Sequence, residues 1–234
     1  MYGFVYNDRM LKGCLNLKRI ESKKNPRVKE WKKLHTKKGR DKSGCFLIEG
    51  YHLIEEALKS DVEIIDLVIE EGTGIPGQWH NDRFSFYEVT GGVMKDISDT
   101  ETPQGVIAVC RKPKVSLPKN LRGQFLLIDG VQDPGNIGTM IRTADAAGLT
   151  AVILGKGCAD PYNGKVLRAT QGSLFHLPVV EGDLFEWVKE FKRQQVSVYG
   201  TALQGGKTYT DISTNEYFAL IVGNEGNGVD PALL

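Results

Sequence analysis

From residue 124 onward the chain alternates short apolar runs with stretches of helical period, and few architectures accommodate that pattern. The runs at 124–129, 151–154, 196–200 and 217–222 have the length of strands, a short extended piece is expected at 177–180, and helices are expected over 136–147, near 162–171 and over 183–195. Apolar strands separated by helices imply a parallel sheet covered on both faces. Such α/β sheets put their ligands in the loops off the carboxyl ends of the strands.

Three loops in that position stand out. The first, Asp133-Pro134-Gly135-Asn136-Ile137-Gly138, leads into a helix that Asn136 is placed to cap, with Ile137, Ile141 and Ala144 as its buried stripe. Gly138 and Arg142 are four apart and share a face, so Arg142 should lie across a surface that Gly138 leaves bare; an exposed Arg142 paired with Asp145 is the alternative. The second, Gly223-Asn224-Glu225-Gly226, brings a carboxylate and bare backbone to the sheet edge, or is a glycine-rich turn with a surface glutamate. The third begins Thr201-Ala202-Leu203. Together they would line one crevice.

The first half reads as a smaller α/β/α domain: an amphipathic basic helix over 26–38 opened by Pro26, strands at 45–48, 64–69, near 84–89 and 105–110, and helices at 51–59 and 93–97. Residues 111–120 carry two prolines and four cations without an apolar period, which marks a linker. The net charge of +1 hides a segregation, with 15 basic against 7 acidic residues in 1–60 and 2 against 10 in 61–110. Lys23, Lys24, Arg27, Lys29, Lys33, Lys37, Lys38 and Arg40 crowd one segment, as a phosphate-contacting surface or a solvated helix face.

Other chemistries find little support. The cysteines (14, 45, 110, 158) and histidines (35, 52, 80, 176) are scattered, which argues against a metal site or a disulfide framework, so we expect packed, reduced thiols and no metal. Neither a P-loop nor the usual dinucleotide fingerprint follows the strand at 124–129. No run approaches the roughly 18 apolar residues of a membrane span and no signal peptide opens the chain, so a cytoplasmic protein with no membrane partner is expected.

Asn136, Gly138, Arg142 and Ala144 match the first motif, Asn-x-Gly-x-x-x-Arg-x-Ala, of the SpoU/TrmH-like RNA ribose 2'-O-methyltransferases of the SPOUT class, and Gly223, Asn224, Glu225 and Gly228 match the second. Residues 165–179 resemble the family's middle segment, and 25–50 resemble its N-terminal substrate-binding domain, which is similar in fold to ribosomal protein L30e. The resemblance implies an N-terminal extension of no assigned role (1–19), an L30e-like RNA-binding domain (20–112), a linker (113–123) and a methyltransferase domain (124–234) whose parallel sheet carries a deep trefoil knot. It further implies a homodimer that binds S-adenosylmethionine through Thr201, Ala202, Leu203, Gly223, Asn224 and Glu225. Asn136, Arg142 and Glu225 would form the ribose site, and the substrate would be structured ribosomal or transfer RNA gripped by the basic segment. The family's third motif, a Ser-Leu-Asn-x-Ser segment, would follow Glu225; the chain ends at Leu234 in what reads as the start of a helix, so we expect the sequence to be truncated there. A non-catalytic RNA-binding or assembly factor on the same fold is the main alternative, and a nucleotide-binding metabolic enzyme a remoter one.

Overall fold

The structure, a computed structural model, describes residues 17–79, 82–202, 206–212 and 215–234. Cys14, His80, Leu203 and most of the N-terminal extension lie outside the described residues. Two compact units result, one of residues up to Pro113 with Tyr162–Gly164, the other of Lys114–Pro161 with Lys165–Leu234.

The first unit has a five-stranded mixed sheet in the order β1-β4-β3-β5-β2, with β1 Lys18–Ile20, β2 Cys45–Glu49, β3 Ile64–Glu70, β4 Ser85–Val89 and β5 Val106–Arg111. β1 pairs parallel to β4, which places three residues at the border of the unassigned extension inside the sheet. The helices are α1 Pro26–Lys33, α2 Lys37–Ser43, α3 Tyr51–Lys59 and α4 Gly91–Ile97. The single helix expected over 26–38 is two. Asn25 caps α1, with Pro26 at its start, and Val28 and Trp31 are buried. The Thr36 hydroxyl then donates to Lys33 O at 2.9 Å and accepts from Gly39 N at 3.1 Å, closing one helix and opening the next.

The second unit holds the parallel sheet, in the order β8-β7-β6-β10-β9, with β6 Gln124–Asp129, β7 Ala151–Leu154, β8 Val179–Glu181, β9 Ser197–Gly200 and β10 Phe218–Gly223. Its helices are α5 Pro134–Ala146, α6 Gly164–Thr170 and α7 Leu184–Arg193. Alternate residues point to opposite faces. Phe125, Leu127, Ala151, Ile153, Ala219 and Ile221 pack with Leu184, Val188 and Phe191 of α7, while Ile137, Ile141 and Ala144 form the buried stripe of α5. No helix among the described residues is long and apolar enough to cross a membrane.

Candidate active site

β10 lies between β6 and β9 and runs parallel to both, with Asp129 opposite Gly223 and Gly200 opposite Ile221. That register sets the loops after the three strands side by side at one sheet edge. Gly223 is required there, since a Cβ would stand 2.1 Å from the Gly228 carbonyl carbon. The turn closes through Asn224 N to Gly228 O at 3.1 Å and Gly228 N to Asn224 O at 2.8 Å.

The Asn224 side chain accepts from Gly226 N at 2.8 Å and Asn227 N at 3.2 Å, and donates to Gly130 O at 3.0 Å. Its polar groups are engaged within the two loops, so the Asn224 side chain fixes the turn and leaves its backbone as what the loop offers. Glu225 beside it is exposed. Thr201 and Ala202 are exposed too, with Thr201 N donating to Ile221 O at 3.0 Å. The sequence reading missed two supports. Cys158 Sγ donates to Ile128 O at 3.2 Å, and Ala159 N to Val131 O at 3.0 Å, fastening the loop after β6. Burial pushes the Cys158 thiol up, so it stays protonated.

Asp133, not Asn136, caps α5; its carboxylate accepts from Asn136 N at 2.8 Å, and Pro134 takes the first helical position. Asn136, freed from capping, donates its side-chain amide to Glu225. Gly138 is not a bare surface. It is buried against α6, where a Cβ would stand 2.3 Å from Ala169 Cβ and 2.9 Å from Val166 O. Arg142, about 6 Å further along the helix axis, is exposed and, among the described residues, makes no hydrogen bond or ion pair, with Asp145 or otherwise. The structure thus joins Asn136 to Glu225 and leaves Arg142 a free cation on the same helix.

The residues at this edge fit an adenosine-bearing sulfonium. Gly130, at φ +63°, has no atom within 4 Å of where a Cβ would be, and the exposed backbone at 201–202 and 225–226 lies on the same edge as the Glu225 carboxylate. No cluster of His, Cys, Asp or Glu that could hold a metal occurs among the described residues.

The basic segment divides by role. Lys24, Lys29, Lys33 and Lys38 are exposed without an ion-pair partner among the described residues, whereas Lys23 and Lys32 face Asp96 and Arg27 binds Asp66 and Glu30. Lys37 is exposed and engaged. Arg40, expected at the RNA surface, is only 3% exposed and donates to Leu34 O at 2.8 Å. It fastens the turn between α1 and α2.

A parallel α/β sheet whose carboxyl edge joins an Asn-x-Gly-x-x-x-Arg helix to a Gly-Asn-Glu turn defines a SPOUT-class protein. The sequence profile of the SpoU rRNA Methylase family matches residues 123–234, and that of the MRM3-like substrate binding domain matches 25–108. The 23S rRNA (guanosine(2553)-2'-O)-methyltransferase RlmP of Bacillus subtilis is 54% identical over 218 residues, 93% of this chain and 87% of the relative. The 23S rRNA (uridine(2479)-2'-O)-methyltransferase of Streptomyces viridochromogenes is 29% identical over 92% of this chain and 80% of its own length. The crystal structure of an AdoMet-bound rRNA methyltransferase from Sinorhizobium meliloti superposes with a TM-score of 0.83 at 30% identity, covering 93% of this chain and 85% of that one. The chain belongs to the SpoU rRNA methylase family, preceded by a substrate-binding domain.

Proposed function

We propose that this protein transfers the methyl group of S-adenosylmethionine to the ribose 2'-hydroxyl of a guanosine in 23S ribosomal RNA. The reaction class is that of its family, and the choice of guanosine rests on the identity with the Bacillus subtilis relative. The observation that carries the site is the contact from Asn136 to Glu225, which ties the two motif loops at the sheet edge.

Thr201, Ala202, Leu203 and the Gly223–Glu225 turn would hold the donor, which when bound supplies an electrophilic methyl. The residues of the chain have the harder task of activating a hydroxyl. A ribose 2'-oxygen is a weak nucleophile until its proton leaves, and the charge that builds on it needs a fixed cation. Arg142 would supply that charge, since no carboxylate among the described residues pairs with its guanidinium. Asn136 and Glu225 hold each other and would orient the ribose, and the Glu225 carboxylate would take the departing proton. Lys24, Lys29, Lys33 and Lys38 grip phosphate. In keeping with the family resemblance, the protein works as a homodimer, which light scattering of the purified protein tests.

The deciding experiment incubates the protein with labelled S-adenosylmethionine and unmethylated 23S rRNA, free and in subunit particles, beside an Arg142→Ala control, followed by nucleoside mass spectrometry. 2'-O-methylguanosine that depends on Arg142 is expected. No transfer by folded, RNA-binding protein would point to an assembly factor instead.

A further inference from the structure

The carboxyl ends of β6, β7 and β10 and the loops that leave them carry an uneven charge. Over residues 129–133, 155–161 and 224–230 stand five carboxylates, Asp129, Asp133, Asp160, Glu225 and Asp230, against a single cation, Lys156. Most of the carboxylates have internal work. Asp133 caps α5, Asp129 accepts from Asp230 N at 2.8 Å, Asp230 accepts from Ala232 N at 2.9 Å and Glu225 holds Asn136. Lys156 is exposed and makes no hydrogen bond or ion pair among the described residues.

The backbone that carries Lys156 is nevertheless fixed against the site. Gly155 N donates to Ile128 O at 2.8 Å, and Cys158 N donates to Gly155 O at 3.3 Å, closing a four-residue turn with Lys156 and Gly157 as its central pair. Gly157, at φ +89°, supplies the left-handed residue that such a turn takes after its corner. A Cβ on Gly157 would stand 3.8 Å from Gly130 Cα, and Gly130 O in turn accepts from the Asn224 side chain at 3.0 Å. β6 lies between β7 and β10. The loop after β6 is therefore flanked on one side by the Lys156 turn and on the other by the turn that bears Glu225.

In an RNA chain the 2'-hydroxyl sits on the carbon next to the one that bears the 3'-phosphodiester. A site that accepts the hydroxyl must accept that phosphate's charge beside it, and juxtaposed like charges are costly. We infer that Lys156 binds a backbone phosphate next to the target ribose, as the counter-charge that lets a polyanion settle against an edge rich in carboxylates. Such a contact positions the RNA and reads no base. The inference rests on the function proposed above for RNA as the ligand and for the ribose at Asn136 and Glu225.

The test reads binding apart from turnover. The protein, loaded with S-adenosylhomocysteine, is titrated against a fluorescent 23S rRNA fragment spanning the proposed target guanosine at several salt concentrations. Lys156→Gln should weaken binding about fivefold at ~0.1 M salt and flatten the log-log slope by about 0.7–0.9, and Lys156→Arg should restore both. In turnover the loss should fall on KM for RNA and not on kcat, as for a contact made equally before and in the transition state. A neutral methylphosphonate is then placed at the phosphate on either side of the guanosine. At one of the two the wild type should lose as much affinity as Lys156→Gln does, and the variant should lose no more. An unchanged Kd and slope in Lys156→Gln, or a variant as sensitive as the wild type at both phosphates, overturns the inference. Methyl transfer by the wild type is scored in parallel. Transfer with binding untouched in Lys156→Gln removes this inference alone, whereas a changed slope without any transfer supports the phosphate contact and removes the methyltransferase reading.

Discussion

The side-chain amide of Asn136 donates to the Glu225 carboxylate across 89 residues of sequence. One residue sits in the first turn of α5, the other in the turn after β10, so the contact ties the two loops together. Asn136→Ala and Glu225→Ala should therefore be non-additive: the double variant loses little more kcat than the worse single one, with a coupling of about 0.5–3 kcal/mol. Single-turnover methylation of the four proteins measures it, and full additivity would show that the contact plays no part in turnover.

Arg142→Ala should lower kcat by about 10²–10³, as for loss of one charge-stabilising group, with donor affinity nearly unchanged. Calorimetric titration with S-adenosylhomocysteine checks the second half. A parallel loss of affinity would assign Arg142 a structural part.

Gly138→Ala drives a methyl into Ala169 and the Val166 carbonyl. Urea denaturation should show a loss of about 1–3 kcal/mol, the usual cost of overpacking. Adding Ala169→Gly should restore part of it, since the carbonyl contact remains.

Lys33→Gln and Lys38→Gln should each flatten the salt dependence of RNA binding by about 0.7–0.9 in the log-log slope without lowering Tm. Arg40→Ala should do the reverse, destabilising the first unit by about 1–3 kcal/mol through the orphaned Leu34 carbonyl while leaving the slope alone.

Burial raises the thiol pKa of Cys110 and of Cys158. The thiolate is the reactive form, so at pH 8 both should be alkylated more slowly than a free cysteine of pKa about 8.5, with Cys158 gaining rate as pH rises and Cys110 reacting only on unfolding. Peptide mass mapping of native and urea-treated protein after iodoacetamide gives the comparison.

The sheet of the second unit was legible because its strands are apolar on both sides and its helices have a clear stripe. Caps and breaks were less so. Asp133 and Asn136 are both capping types, and Pro134 at the first helical position is the signal that favoured Asp133. The break at Thr36 was hidden because Val28, Trp31 and Leu34 keep helical spacing up to it. Arg40 looked like its basic neighbours, and only the tertiary fold shows it buried. Gly138 was placed on the right helix, but its partner Ala169 lies in another element, which periodicity does not reach.

The strand order carries a consequence for biosynthesis. β10 separates β6 from β9, so while the chain is being translated β6 must wait with one edge unpaired for a partner that begins 94 residues later. The second unit cannot close its sheet vectorially from the amino end. It must condense in a late step, once residue 223 has cleared the exit tunnel, and until then the nascent chain presents an apolar strand edge that holding chaperones can bind.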